Sequence, residues 1–201
     1  MSVDVLQAVW HAWARRTTAL TAAQWRTPTR LPGWAVQDLV AHAAPDQGVL
    51  EFLHGPSVPD PEVTTGAEMI RRLHAPAGAT HTLADDIAEQ ARRAAQVGPE
   101  SLAAHFARTG PRVIAELRAH DRTTGLAYPH LGSASYGAIA ETATVEATVH
   151  YLDLIAAVGG PPPPDIALRA TASTLSAVAD PVGFIEAATG RSTVAVFPVM
   201  R

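Results

Sequence analysis

The sequence predicts an all-α protein in which residues 1–201 form a single helical-bundle domain. Three observations lead to this prediction. Apolar residues recur at helical spacing along several long segments. Clusters of glycine and proline separate these segments and end the helices. No pair of segments shows the alternation of apolar and polar residues that is typical of strands. We therefore expect a bundle of four long helices with additional short helices.

The N-terminal part of the chain predicts two helices. Apolar spacing indicates the first over residues 3–25, and the stretch "TPTRLPGW" ends it because prolines and a glycine cannot continue a helix. The second helix begins near Trp34, and Pro45 is expected to kink it or to end its first part. His42 lies on the apolar face of this second helix.

The remaining segments complete the predicted bundle. Residues 54–80 are rich in proline and glycine and indicate a long excursion that covers something, with one short helix over residues 67–73. Residues 82–120 predict helices or one broken helix, and residues 133–160 hold the longest apolar helical run, which two glycines close. Four prolines, two short helices and an extended segment at residues 192–200 follow.

The composition limits the classes of partner. The net charge of −4 is spread without runs, so neither nucleic acid nor a membrane is expected as a partner. The chain has no cysteine, so any reactive thiol must arrive on a ligand. It also shows no apolar run of about 18 residues and no basic start of a signal peptide. We expect a cytoplasmic protein with a small-molecule substrate, and leave open whether it forms a homodimer.

Two pairs of glutamate and histidine are separated by four residues. Glu116 and His120 share their helix face with two arginines, which favours a ladder of surface ion pairs. Glu146 and His150 lie on a helix that is apolar or small on every side, which predicts burial at the centre of the bundle. Buried ionisable groups need partners, so the second pair is the candidate site.

The second pair has the spacing of metal ligands. Residues four apart on a helix are about 5–6 Å apart at Cβ, so Glu146 and His150 can bind one ion. His42 can supply a third ligand from a facing helix, which gives the ligand set of a catalytic zinc with a free position. Asp153 lies on the same face and can accept the free ring N–H of His150. Alternatively, Glu146 and His150 only bond to each other and His42 packs elsewhere.

Two stretches, "TRLPGWAVQDLVAH" and "VEATVHYLDLIAAVG", resemble the N-terminal module of the mycothiol-dependent maleylpyruvate isomerase family, within the DinB-like superfamily. The resemblance implies a DinB-like four-helix bundle that binds a divalent metal, usually zinc, through His42, Glu146 and His150. It also implies an open metal position for a thiolate, such as that of mycothiol, or for another anion. The chain ends after the bundle, so we do not expect the second domain of those isomerases or their reaction with maleylpyruvate.

Three functions are compatible with these residues. The first is a metal-dependent, thiol-using transferase or isomerase that acts on a small electrophilic metabolite. The second is a metal-independent isomerase, dehydratase or cyclase of specialised metabolism, in which His42, Glu146 and His150 perform acid–base catalysis. The third is a non-catalytic protein that binds a small molecule. Trp34 and Tyr136 are the candidates for the pocket wall.

Overall fold

The prediction of an all-α fold is confirmed by the computed structural model, which describes residues 3–193 and residue 198. The helices are α1 (Val3–Thr18), α2 (Ala22–Trp25), α3 (Val36–Ala43), α4 (Gln47–Leu53), α5 (Gly66–Leu73), α6 (Ala79–Thr82), α7 (Ala84–Ala95), α8 (Pro99–Ala104), α9 (Gly110–Ala119), α10 (Tyr136–Val158), α11 (Asp165–Val178) and α12 (Pro181–Ala188). A π-helical turn, His105–Thr109, joins α8 to α9. The strands are β1 (Ser57–Val58), β2 (Gly125–Tyr128) and β3 (Gly132–Ser135). The assignment of residues 1–201 to one domain stays a prediction.

The first predicted helix is shorter than expected, because α1 ends at Thr18 and the separate helix α2 follows. The Thr18 hydroxyl donates to the carbonyl of Ala14 at 2.7 Å. Such bonds from threonine to the preceding turn weaken a helix. Thr21 then begins α2 with a capping box, in which its hydroxyl accepts from the backbone N–H of Gln24. Apolar spacing continues through this break, so spacing alone could not locate it.

Pro45 ends the first part of the second predicted helix, as expected. Helix α3 stops at Ala43, and Asp46 begins α4 by accepting a hydrogen bond from the Val49 N–H at 3.1 Å. His42 therefore lies in the last turn of α3, directly before the break.

The excursion over residues 54–80 contains the predicted short helix as α5, together with β1 and α6. Gly66 begins α5 against α10, and its N–H donates to the Glu141 carboxylate at 2.8 Å. A Cβ atom on Gly66 would lie 2.5 Å from the Cβ of Glu141, so only glycine allows this approach. This contact attaches the N-terminal end of α5, and with it the excursion, to α10, the helix that carries Glu146.

A small antiparallel sheet of order β1-β2-β3 was not predicted. Its register pairs Ser57 with Leu126 and Gly125 with Ser135. These strands are too short, and too rich in small residues, to show a convincing alternation in the sequence. The sheet leads directly into α10, because Ser135 ends β3 and also caps the helix by accepting from the Ala138 N–H.

Helix α10 runs through the core of the bundle and packs on α1, α3, α5 and α11. Trp13 of α1 stacks on Phe106 of the π-helical turn, with ring centroids 5.0 Å apart, and donates a hydrogen bond to the carbonyl of Ala147 at 2.9 Å. Gly159, with φ 71°, caps the C-terminal end of α10, as the two glycines at this point of the sequence predicted. None of the described helices has both the length and the hydropathy needed to cross a membrane. Most of the predicted extended segment at residues 192–200 lies outside the described residues.

Candidate metal centre

The three residues predicted as metal ligands lie together. Glu146 and His150 project from adjacent turns of α10, and His42 reaches them from the last turn of α3. The predicted burial at the centre of the bundle is only partly correct, because 38% of the Glu146 side chain and 14% of the His150 side chain are exposed, and His42 is exposed as well. One ligand atom from each residue lies within 4.8 Å of the other two. The rings of His42 and His150 have centroids 5.1 Å apart, and His150 Nε2 lies 3.4 Å from a Glu146 carboxylate oxygen. Two imidazole nitrogens and one carboxylate oxygen are the donor set of a three-ligand zinc site.

Asp153, the predicted partner of the His150 ring, contacts it. Its carboxylate lies 3.0 Å from His150 Nδ1, which places the Nδ1 proton between these two atoms and turns Nε2 toward Glu146. The other Asp153 oxygen accepts a charge-assisted hydrogen bond from Arg30, in the loop that precedes α3. Only 4% of the Asp153 side chain is exposed, so both partners are needed to stabilise its charge.

The two histidines differ in their affinity for protons. Burial, and then the neighbouring His150, lower the pKa of His42 to about 4, so His42 is neutral near neutral pH. Burial also acts to lower the pKa of His150. The hydrogen bonds to Asp153 and Glu146 outweigh this effect and raise the pKa of His150 to about 9. Without a metal, His150 is therefore the protonated member of the group.

Both carboxylates of the centre are ionised. Burial would raise the pKa of Glu146, but the hydrogen bond from His150 outweighs it and lowers that pKa. Burial likewise opposes ionisation of Asp153, and hydrogen bonds from His150 and Arg30 lower its pKa. The charges of the two carboxylates thus match those of the protonated imidazole and the guanidinium.

The centre lies in the wall of a cavity of about 720 Å³. His42, Glu146 and His150 all line it, so a ligand in the cavity can reach all three. Trp34 lies beside them, as proposed from the sequence, with its ring centroid 5.2 Å from that of His42 and nearly perpendicular to it. The excursion covers the cavity, because Ile70, Leu73, His74 and Thr80 contribute to its lining.

Tyr136, the second candidate for the pocket wall, is placed elsewhere. It is buried at the start of α10, where its ring stacks on His120 with centroids 4.0 Å apart. Ten residues along a helix correspond to about 2.8 turns and a rise of about 15 Å, so Tyr136 differs from Glu146 both in direction and in position along α10. The Glu116/His120 pair also lies away from the cavity, and Glu116 contacts His54 as well as His120.

Two cavity residues were missed in the sequence. Tyr128 ends β2, and burial and the nearby Glu146 raise its pKa. His74 caps the C-terminal end of α5, and it is the last of the neighbours, after His150 and His42, that contribute to the lowered pKa of Glu146. Neither lies on a periodic helix face, and Tyr128 belongs to the sheet that was not predicted. Only the composition of the excursion, which indicated a covering segment, pointed toward His74.

Comparisons with known proteins identify the family to which the chain belongs. No curated protein matches the chain. Two solved structures are similar, the crystal structures of the mycothiol-dependent maleylpyruvate isomerase and of its histidine-to-alanine mutant. Each has 13% sequence identity and a TM-score of 0.54, over 87% of this chain and 68% of that chain, and so supports the fold alone. The profile of the mycothiol maleylpyruvate isomerase N-terminal domain family matches residues 6–155. The resemblance seen in the sequence is confirmed, and the chain belongs to this family.

Proposed function

We propose that the protein is a metal-dependent, thiol-using transferase or isomerase that acts on a small electrophilic metabolite. The observation that carries the proposal is the convergence of His42, Glu146 and His150 in the wall of one cavity. Membership of a family named for a mycothiol-dependent isomerase supports the use of a thiol.

The donor set fits a divalent metal, with zinc as the first choice, held by His42, Glu146 and His150. When bound, the metal supplies a Lewis-acid position at which a thiol sulfur binds as the thiolate. The chain has no cysteine, so the sulfur has to come from a small molecule such as mycothiol.

The residues around the ligands prepare the site for this chemistry. Asp153 holds the Nδ1 proton of His150 and thereby leaves Nε2 as the ligand atom, and Arg30 fixes Asp153. The largely apolar cavity walls offer few polar groups that would compete with a thiol and an electrophile for each other. Binding of the electrophile beside the thiolate makes their encounter intramolecular.

A metal-independent acid–base enzyme is the second candidate, and one observation favours it. His150 carries a proton at neutral pH while Glu146, 3.4 Å away, is ionised. A protonated imidazole and a carboxylate in one cavity can act as general acid and general base. This candidate needs neither metal nor thiol.

Zinc titration of the purified protein tests the proposal. We expect one zinc to bind per chain and one proton to be released for each zinc bound. The titration is done at about pH 6, because zinc-bound water does not yet ionise there and adds no proton of its own. One proton is released because His42, with a pKa of about 4, is already neutral, whereas His150, with a pKa of about 9, must lose its proton to bind. The affinity should accordingly rise about tenfold per pH unit.

Calorimetry in buffers of different ionisation enthalpy measures the proton count. Release of two protons would contradict the assigned states of the histidines. Absence of measurable zinc affinity would contradict the metal-dependent function and favour the acid–base enzyme.

The Asp153→Asn substitution tests the positioning role of Asp153. Because an amide accepts more weakly from Nδ1 than a carboxylate, we expect zinc affinity to fall by about 10–100-fold. The matched control is Asp165→Asn, which alters an exposed aspartate that pairs with Arg169 on α11. Competition with a zinc-binding dye measures both variants, and an equal effect in the two would show that Asp153 does not act through His150.

A further inference from the structure

The cavity beside the metal centre has mainly apolar walls. Aromatic side chains from separate parts of the chain contribute to it, among them Trp10, Trp34 and Phe52, together with aliphatic side chains such as Leu73 and Ile87. Its volume of about 720 Å³ is that of a site for a drug-sized ligand. Walls of this kind bind a ligand chiefly by removing its apolar surface from water.

No arginine or lysine is among the described residues that line the cavity. All 15 basic residues of the chain are arginines. Five of them adjoin lining residues in the sequence, and each has a partner: Arg30 pairs with Asp153, Arg71 and Arg72 with Glu68, Arg112 with Gln47, and Arg118 with Asp4. These arginines are therefore engaged outside the cavity.

The charged groups at the centre are also occupied by one another. His150 lies between the carboxylates of Glu146 and Asp153, and Arg30 binds Asp153 from the other side. A ligand carboxylate that left water for this cavity would find mainly apolar walls and the Glu146 carboxylate. Without a cation as partner, the loss of its hydration is not compensated.

We propose that the cavity selects an uncharged, largely apolar substrate over one that carries a carboxylate. The inference rests on the proposed function only in taking this substrate to be an electrophile. The preference itself follows from the walls, and it applies to the metal-free protein, because a bound metal would offer an anion a positively charged partner. The aromatic side chains further favour a substrate with a flat, unsaturated part that can stack on them.

Binding of a matched pair of probes tests this selectivity. The pair is the methyl ester of para-carboxybenzylideneacetone and its free acid, which share the unsaturated ketone and differ in one negative charge. Calorimetry on chelator-treated, thiol-free protein at neutral pH should show that the ester binds at least about tenfold more tightly than the acid. Acid binding as tight as that of the ester would overturn the inference.

A positive charge placed in the cavity wall should offset the preference for the ester. Ile87 lines the cavity from α7 and is only half-buried, so the arginine of an Ile87→Arg variant can reach solvent or a ligand. We expect this variant to gain affinity for the acid by about tenfold relative to the ester. Gln90→Arg adds the same charge at an exposed position of α7 that does not line the cavity, and should leave the preference unchanged.

These measurements separate the inference from the proposed function. If the protein prefers the ester but fails to bind zinc, the selectivity of the cavity is supported and only the metal centre is contradicted. Equal binding of ester and acid in protein that binds zinc would overturn only the selectivity. An equal gain in acid binding in both arginine variants would show that net charge, rather than the cavity wall, sets the preference, and would overturn the inference as well.

Discussion

Replacing His150 by alanine should lower the affinity for zinc by more than about 100-fold and reduce turnover to the uncatalysed rate. Loss of a group that only orients a metal ligand lowers metal affinity by about 10–100-fold. Because His150 is itself a proposed ligand, its loss should have a larger effect. The substitution also leaves the buried Asp153 with Arg30 alone. Elemental analysis after dialysis and a competition titration measure the zinc affinity.

The chain offers a matched control in its other pair of glutamate and histidine. His120 lies four residues after Glu116 and bonds to it at 3.1 Å, as His150 does to Glu146 at 3.4 Å, but it lies away from the cavity. His120→Ala should therefore keep full zinc affinity. Equal losses in the two variants, with unchanged circular dichroism, would contradict the assignment of the ligands.

Turnover of an electrophile should require an added thiol and should fall to the uncatalysed rate without one. No side chain can replace the thiol, because the chain has no cysteine and the sulfur of methionine cannot ionise. With the benzylideneacetone ester as substrate, the thiolate sulfur forms a bond to the β-carbon and the α-carbon takes a proton from water. Loss of the absorbance of the unsaturated ketone measures the rate.

The rate is compared under three conditions, with mycothiol, with a simpler thiol and without a thiol. Each condition is measured once with zinc and once with a chelator. We expect turnover only where thiol and zinc are both present. Full conversion of a substrate in chelated, thiol-free buffer would contradict the thiol-dependent function and support acid–base catalysis by Glu146 and His150.

The site residues that lie on helices could be predicted because helical spacing fixes their relative positions. One face of α10 carries Glu146, His150 and Asp153, and this follows from their spacing alone, independently of how the rest of the chain packs. His42 was located by the family motif and by the apolar face of its helix. Arg30 could not be predicted, since it lies 123 residues before Asp153 in the sequence and meets it only through tertiary packing.

The missed sheet and the misplaced tyrosine have different physical causes. The strands contain few residues and many small side chains, so no local period marks them, and β1 pairs with β2 across a long stretch of chain, as in the pair of Ser57 with Leu126. Tyr128 reaches the cavity through this sheet. Tyr136 precedes Glu146 by about 2.8 helical turns and a rise of about 15 Å, so it faces a different direction and lies far from Glu146 along the helix.

X-ray absorption spectroscopy at the zinc edge tests the metal centre most directly. For zinc-loaded protein, we expect scattering from two imidazoles and from oxygen, in accord with His42, His150 and Glu146. Saturating thiol should add one sulfur at about 2.3 Å. A spectrum without imidazole scattering, or one in which saturating thiol adds no sulfur, would contradict a metal centre that receives a thiolate.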